Sequence, residues 1–200
     1  MKNKPLSKKI VAGKYRGKTL LLPSKDTTRS SKSIVLESFF NTIQFEIIDA
    51  TFVELFSGSG SIGLEALSRG ADKIIFMEQD REALKVLSLN IAQTDTSKCE
   101  VIRGDTFSNI KQVTDKLLHV KQKAYFFIDP PFSYREGMEE IYNKMLDLIA
   151  KLPVEVVKLI IIEHMSSLKL DDTIGPYRLQ KCKKFGKTSL SYYTLLASKE

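Results

Sequence analysis

The chain of 200 residues is 42% hydrophobic and 28% charged, which fits one soluble globular domain. Its two cysteines, Cys99 and Cys182, lie far apart and its two histidines are isolated, so we expect no zinc site, no disulfide framework and no bound metal. No apolar run approaches the roughly 18 residues of a membrane span, and the basic N-terminus lacks a signal-peptide core, so we expect a cytoplasmic protein.

The net charge of +7 is unevenly distributed along the chain. Residues 1–32 carry ten lysines and arginines against one acid, and residues 173–199 carry six against none. The segment between them, 33–172, carries 15 basic residues and 22 acids. An acidic body with basic ends indicates contact with a polyanion. We favour nucleic acid over incidental surface lysines, because binding to phosphates requires Lys and Arg.

The hydrophobic pattern predicts a β-hairpin over residues 10–22, around Gly13 and Gly17, and then a helix over 30–43. From residue 51 onward strands and helices alternate, and a second hairpin over 177–197 ends the chain. The predicted strands are 51–56, 73–78, 99–105, 124–129 and 158–164, and the predicted helices are 61–70, 81–93, 108–120 and 136–151.

This alternation predicts the fold class. The strands are continuous apolar runs, which is typical of strands buried on both faces. Five βα repeats predict an α/β fold with a doubly wound, Rossmann-like and mostly parallel sheet, which the terminal hairpin extends to seven strands. We expect residues 1–28 to form a basic extension with a small N-terminal β-hairpin, and residues 29–200 to form the main domain.

A glycine-rich loop follows the first strand of the alternation. Gly58, Gly60 and Gly63 form G-x-G-x-x-G between a predicted strand and a predicted helix, the context that a nucleotide-type cofactor loop requires. Glycines let a ligand approach the backbone closely, and the helix N-terminus offers further N–H donors. The alternative is a tight turn that needs glycine only for its positive φ, and the strand–loop–helix context favours the cofactor.

Three acids lie at or near the ends of neighbouring predicted strands. Glu78 can accept hydrogen bonds from both hydroxyls of a ribose, which suits NAD and S-adenosylmethionine equally. Glu54 suits a cationic ligand end, such as the amino group of a methionine moiety, and disfavours a pyrophosphate. Asp105 can accept from an adenine amine, cap the helix that follows, or do both. The predicted cofactor-binding residues are Glu54, Phe56, Gly58, Gly60, Gly63, Glu78, Asp105 and Thr106.

The fourth strand of the alternation runs into Asp129-Pro130-Pro131-Phe132. The two prolines fix φ and lack N–H groups, so this turn offers only hydrogen-bond acceptors. An exocyclic amine of a nucleobase could donate one hydrogen to Asp129 and the other to the carbonyl of Pro130, while Phe132 stacks on the base. Such a base must be flipped or single-stranded. The alternative is a plain strand end with a capping aspartate and a proline turn.

With these motifs the chain resembles the class I amino-methyltransferases. More closely, it resembles the RsmD-type family, which methylates the exocyclic N2 of a guanine in small-subunit (16S) ribosomal RNA. The similarity extends from about Ile10 to Leu196. The segments that carry it are IVAGKYRGKTL, ELFSGSGSIGLEALSRGA, FMEQD, FIDPPF and KKFGKTSLSYY. The loop and the proline motif are shared with many methyltransferases, and the two hairpins narrow the choice to this family.

The resemblance implies S-adenosylmethionine as cofactor, direct methyl transfer without a metal, and a monomer that acts on ribosomal RNA or on a small-subunit assembly particle. The catalytic residues that it implies are Asp129, Pro130, Pro131 and Phe132. The residues expected to contact RNA phosphates are Lys14, Arg16, Lys18, Arg29, Lys183 and Lys184.

The stretch RSSKSIVLE, residues 29–37, departs from the family, which usually carries an Arg-Pro-Thr-Thr-Asp-Arg-Val-Arg-Glu-type run there. The replacements at Ser30, Ser33, Ile34 and Leu36 leave the catalytic motif intact and affect the expected RNA contacts. Three other functions stay open: an adenine-N6 or other exocyclic-amine methyltransferase acting on DNA or RNA, an NAD-dependent oxidoreductase, and a non-catalytic RNA-binding protein. We expect His164 to be a satisfied surface residue rather than a substrate contact.

Overall fold

A computed structural model describes residues 6–23, 33–130 and 139–196. The chain divides into two compact units, the first ending at Thr106 and the second beginning at Phe107. Across the described ranges, no helix is both long enough and apolar enough to cross a membrane.

The described residues of the first unit form a small antiparallel hairpin, three α-helices and three parallel strands. Its elements are β1 (Ser7–Lys9), β2 (Thr19–Leu21), α1 (Ser33–Thr42), β3 (Thr51–Leu55), α2 (Ser61–Ser68), β4 (Lys73–Glu78), α3 (Arg81–Ile91), a 3-10 turn (Thr96–Lys98) and β5 (Cys99–Arg103). β4 pairs in parallel with β3 on one side and with β5 on the other. The ends of these three strands therefore meet at one edge of the sheet.

The part of the second unit that the structure describes forms two helices and a mixed sheet. Its elements are α4 (Thr106–His119, whose first residue ends the first unit), β6 (Ala124–Ile128), α5 (Glu139–Ala150), β7 (Val157–Met165), β8 (Thr173–Ile174), β9 (Tyr177–Phe185) and β10 (Thr188–Leu195). The strand order in this unit is β6-β7-β10-β9-β8. β6 and β7 are parallel, and the remaining neighbours are antiparallel.

The predicted α/β fold and both predicted hairpins are confirmed. Every residue of β3 and of β6 is buried, as their continuous apolar runs predict. Besides β1 and β2, the described residues contain eight strands, three in the first unit and five in the second. The expected number was seven, and the additional strand is β8, which has only two residues and pairs with β9.

The N-terminal hairpin differs in detail from its prediction. Its paired strands are β1 and β2, so β1 lies outside the predicted range of 10–22, and residues 10–18 form the connection. The amide of Ile10 donates to the carbonyl of Lys18 at 3.0 Å, and the amide of Gly17 donates to the carbonyl of Ile10 at 2.9 Å. Ile10 and Leu20 are both buried, so their apolar character reflects packing of the hairpin as well as strand pairing.

Several element ends differ from the prediction by two or three residues. β5 ends at Arg103 because Gly104 turns the chain with a φ of 116°, and α4 begins at Thr106 rather than at 108. The predicted starts of the helices at 30 and 136 lie outside the described residues. At α3 the local chemistry is clear, because Asp80 accepts hydrogen bonds from the amides of Glu82 and Ala83 and so caps the helix.

Candidate functional site

The glycine loop connects β3 to α2 through backbone conformations that few residues adopt. Phe56, Gly58 and Gly60 have φ angles of 57°, 52° and 74°, all in the left-handed region. For Phe56 this conformation is strained, and such strain concentrates at functional sites. Gly60 stands directly before α2, and its amide donates to the carbonyl of Ser57 at 2.7 Å. The backbone therefore turns tightly at the carboxyl end of β3.

Gly63 brings the first turn of α2 close to the sheet. A Cβ at this position would lie 2.5 Å from Cε1 of Phe76 and 2.7 Å from Cγ2 of Ile74, so no larger residue fits without rearrangement. The amide of Gly63 donates to Oε2 of Glu54 at 2.8 Å. The third glycine of the motif thus permits close packing of helix on strand and contact with a buried carboxyl group.

Glu54 is a buried carboxyl group under the loop, with 4% of its surface exposed. Burial raises its pKa from the ordinary 4.5 to about 8, against the lowering effect of hydrogen bonds from the amides of Gly63 and Ile62. A cationic ligand end placed beside this group would favour its charged form. The sequence predicts a ligand contact for Glu54. The structure adds that the protonation of its carboxyl group changes at a pH of about 8.

Glu54→Gln should make the protein less sensitive to rising pH. The folded protein retains a proton on Glu54 between pH 4.5 and about 8, whereas the unfolded chain has released it. The stability contributed by this group is thus fully present below pH 4.5 and is lost as the pH rises to about 8. Denaturant unfolding from pH 5 to 8 should show a difference in slope between wild type and variant of about 1.4 kcal/mol per pH unit. Parallel curves would contradict the assignment.

Glu78 holds the other end of the loop. Its Oε2 accepts from the amide of Gly58 at 2.7 Å, and its Oε1 accepts from the amides of Gln79 and Asp80, each at 2.8 Å. The sequence predicts a ligand contact for this carboxylate, and the structure shows that it also fixes the loop. Its backbone carbonyl accepts from the amide of Gly104 at 2.9 Å, which connects the ends of β4 and β5.

Asp105 and Thr106 follow Gly104 beyond the end of β5. Asp105 is half-buried and stands directly before the first residue of α4, so its position is compatible with both of the roles proposed for it. Thr106 is buried.

Ser57 is a loop residue that the sequence prediction missed. Its Oγ is buried and has no hydrogen-bond partner among the described residues, the condition of a polar group that a bound ligand would satisfy.

In the second unit, Asp129 follows the fully buried strand β6. Asp129 is half-buried and Pro130 is buried, whereas Pro131 and Phe132 lie outside the described residues. The parallel register pairs Ile128 with Ile162, so Asp129 and Glu163 come next at the same edge of the sheet. Parallel strands present their carboxyl ends at one edge, and ligands of open α/β sheets bind there.

Two further residues of the second unit modify the sequence-based picture. Tyr142, on α5, was not predicted, and its burial together with the nearby charge of Asp129 raises its pKa to about 12, so it is a neutral phenol at physiological pH. His164 is buried, so its prediction as a surface residue is wrong. Its Nδ1 donates to the carbonyl of Met165 at 2.9 Å, its Nε2 accepts from Oγ of Ser191 at 2.8 Å, and burial lowers its pKa. Both ring nitrogens are thus satisfied within the protein.

The connection of the N-terminal hairpin presents the predicted basic residues. Lys14, Arg16 and Lys18 are exposed, and the Nζ atoms of the two lysines lie 5.3 and 5.7 Å from the ring centroid of Tyr15. On β9, Lys184 is exposed and Lys183 is half-buried. Arg29 lies outside the described residues.

Among the residues described, no cluster of three or more His, Cys, Asp or Glu side chains could hold a metal ion.

Two side chains of α2 hold this connection in place, and the sequence prediction missed both. Glu65 accepts from the amides of Val11 and Ala12 at 2.7 and 3.1 Å. Oγ of Ser68 accepts from the amide of Tyr15 at 2.9 Å. The basic hairpin is therefore bound to the same helix that begins at the glycine loop.

The family model described as Conserved hypothetical protein 95 matches residues 8–194. A protein of Haemophilus influenzae named Ribosomal RNA small subunit methyltransferase D is 32% identical over 182 residues, which cover 86% of this chain and 92% of that protein. A Bacillus subtilis protein named Putative rRNA methyltransferase YlbH is 28% identical over 192 residues, covering 92% and 97% of the two chains.

Among solved structures, a protein described as putative methyltransferase yhhF from Escherichia coli superposes with a TM-score of 0.74 at 28% identity, covering 96% of this chain and all of that one. The match of the family model spans most of the chain, including the glycine loop and the proline motif. The chain therefore belongs to the Conserved hypothetical protein 95 family, the RsmD family of methyltransferases, as its resemblance predicts.

Proposed function

We propose that this protein transfers a methyl group from S-adenosylmethionine to the exocyclic N2 amine of a guanine in small-subunit (16S) ribosomal RNA. The observation that carries the proposal is the pair Asp129 and Pro130, which directly follows a fully buried strand in a chain of the RsmD family. We further propose that it acts in the cytoplasm as a monomer, and that residues 1–28 serve as an RNA-binding extension of a methyltransferase domain over 29–200.

The loop of the first unit is proposed to bind the cofactor, which supplies the methyl group as a sulfonium. Glu78 accepts a hydrogen bond from the ribose through Oε2, which has one backbone partner and retains a lone pair, whereas Oε1 already accepts from two amides. Asp105, with Thr106 beside it, accepts from the adenine amine. Glu54 and Phe56 border the methionine end, and Oγ of Ser57 provides a further polar contact there.

The turn after β6 is proposed to orient the amine. Asp129 accepts one hydrogen of the amine, the carbonyl of Pro130 accepts the other, and Phe132 stacks on the base. This pair of bonds directs the nitrogen lone pair toward the methyl group, and the proton then leaves to water. Positioning of this kind can supply roughly 7–11 kcal/mol of a barrier, so the transfer needs no covalent enzyme intermediate.

The basic residues are proposed to hold RNA phosphates, and the affinity should therefore fall steeply with salt. Each phosphate that Lys or Arg neutralises should lower the logarithm of the affinity by about 0.7–0.9 per tenfold rise in salt. Filter binding of 16S RNA over a range of salt concentrations measures this slope. An affinity that does not change with salt would contradict phosphate binding by these residues.

The reaction is tested by mass mapping of modified nucleosides in ribosomal RNA from cells with and without this protein. A methylated guanine that is lost with the protein supports the proposal, and a lost N6-methyladenine assigns the turn to adenine instead.

Transfer of tritium from labelled cofactor into naked DNA, naked 16S RNA and partly assembled small subunits then identifies the substrate. Calorimetric titration with S-adenosylhomocysteine and with NAD separates a methyltransferase from an oxidoreductase.

A further inference from the structure

Asn90 on α3 connects the two parts of the first unit to which separate binding roles are assigned above. Its side chain is fully buried, with 0% of its surface exposed. Oδ1 accepts from the amide of Leu21 at 2.8 Å, and Nδ2 donates to the carbonyl of Leu21 at 2.9 Å. The second hydrogen of Nδ2 goes to the carbonyl of Ser59, also at 2.9 Å. Leu21 belongs to the hairpin, and Ser59 belongs to the glycine loop.

Only a side-chain amide makes this set of bonds from a single position. It bonds both backbone groups of Leu21 as a neighbouring peptide would, and it has one N–H left for the loop. Aspartate keeps the acceptor and loses both donors, whereas leucine has neither. All of these groups are buried. A substitution that removes a donor or acceptor of Asn90 therefore leaves the backbone group opposite it without a hydrogen-bond partner, which destabilises the protein.

The peptide that Asn90 holds lies in the glycine loop. Ser59 stands between Gly58 and Gly60, whose left-handed conformations give the loop its shape. Glu78 holds the amide of Gly58, and Asn90 holds the carbonyl of Ser59 on the next residue. The two side chains thus hold the Ser57–Gly58 and Ser59–Gly60 peptide groups, which flank the Gly58–Ser59 peptide at the centre of the loop. Any ligand that orders this loop therefore acts on a residue that is also bonded to β2.

We propose that Asn90 is a positioning residue that couples cofactor binding at the glycine loop to RNA binding by the basic hairpin. The inference rests on the proposed function for the identity of the two ligands. A ligand that orders one side of Asn90 reduces the ordering that the other side requires, so each ligand tightens the binding of the other. Because linkage is reciprocal, the cofactor and the RNA must strengthen each other by the same factor.

The experiment measures how much S-adenosylhomocysteine tightens the binding of 16S RNA. The dissociation constant for RNA is determined with and without saturating S-adenosylhomocysteine, and their ratio is the coupling factor. For the wild type we expect a factor of at least about 5. Asn90→Asp should bring the factor close to one and raise the KM for the cofactor. A residue with only a structural role would weaken both affinities and leave the factor unchanged.

Leu21→Pro tests the same connection should Asn90→Asp fail to fold. The amide of Leu21 bonds to Asn90, so proline at this position removes that bond without deleting a bond to β1. This variant should lower the coupling factor and leave the affinity for S-adenosylhomocysteine unchanged. Ser68→Ala is the control, because it loosens the hairpin without touching the loop. It should weaken RNA binding equally with and without S-adenosylhomocysteine.

Two results would overturn the proposal: a wild-type coupling factor of one, or an unchanged factor in whichever of the Asn90→Asp and Leu21→Pro variants fold. A wild-type protein that methylates RNA with no coupling refutes only the role of Asn90. A wild-type protein that binds S-adenosylhomocysteine but no RNA refutes the proposed function together with this inference. The two failures are thus distinguishable in the same titrations.

Discussion

Asp129→Ala should lower the rate of methyl transfer by at least about 100-fold, because a misplaced reacting group alone costs that much. The loss should appear in kcat, since Asp129 is proposed to orient the amine rather than to bind the cofactor. The affinity for S-adenosylhomocysteine should stay at the wild-type value, because the proposed cofactor contacts come from the first unit. The measurements are tritium transfer from labelled cofactor to the RNA substrate and calorimetric titration.

Asp147→Ala is a suitable control for this experiment. Asp147 is an exposed carboxylate on α5 of the same unit, so its removal should change neither the transfer rate nor the stability. Asp129→Asn adds a graded comparison, because it keeps a carbonyl acceptor and loses the charge. Unchanged methyl transfer by Asp129→Ala would refute the proposed role of Asp129 in orienting the amine.

Gly13→Ala should displace the basic connection from α2 and weaken RNA binding. A Cβ on Gly13 would lie 1.8 Å from the backbone carbonyl oxygen of Ser68, and a helix backbone cannot yield that far. We expect a loss of RNA affinity of about tenfold, equivalent to about 1.4 kcal/mol. The salt slope should fall as well, since Lys14 and Arg16 lie in the displaced segment.

Gly17→Ala provides a matched control within the same connection. Gly13 and Gly17 have φ angles of 82° and 85°, so alanine is equally strained at both, yet no described residue beyond the two chain neighbours lies within 4 Å of a Cβ at Gly17. The difference between the two variants therefore isolates the contact with α2 from the backbone strain. Equal RNA affinities of the two variants would show that docking of the hairpin on α2 does not matter for binding.

The elements that were predicted well are those whose sequence signal is local. β3 and β6 are buried along their whole length, and a continuous apolar run predicts that without knowledge of the partner strands. The glycine loop was also predictable, because positive φ angles, such as those at Gly58 and Gly60, favour glycine. The terminal hairpin follows from two β-like runs around a glycine.

The errors have a common physical origin in long-range contacts. Apolar residues of the N-terminal hairpin, such as Ile10, are buried by packing and do not all lie in its strands. The apolar pattern therefore predicts a hairpin that begins at residue 10, whereas β1 is Ser7–Lys9. His164 was predicted at the surface, yet its ring is satisfied by Ser191, 27 residues away in sequence. The residues that were missed are of common types and carry no motif of their own: Ser57, Glu65, Ser68, Asn90 and Tyr142.

The α/β fold and the glycine loop are predictable from the sequence, because each depends on residues close together in the chain, and the uneven charge is a property of the sequence itself. The protonation of Glu54 and the anchoring of the hairpin become visible only in the folded structure. The carboxyl group titrates near 8 because of burial, and burial depends on the whole fold. Asn90 connects Leu21 to Ser59 across 69 and 31 residues of sequence, a distance over which no local pattern carries information.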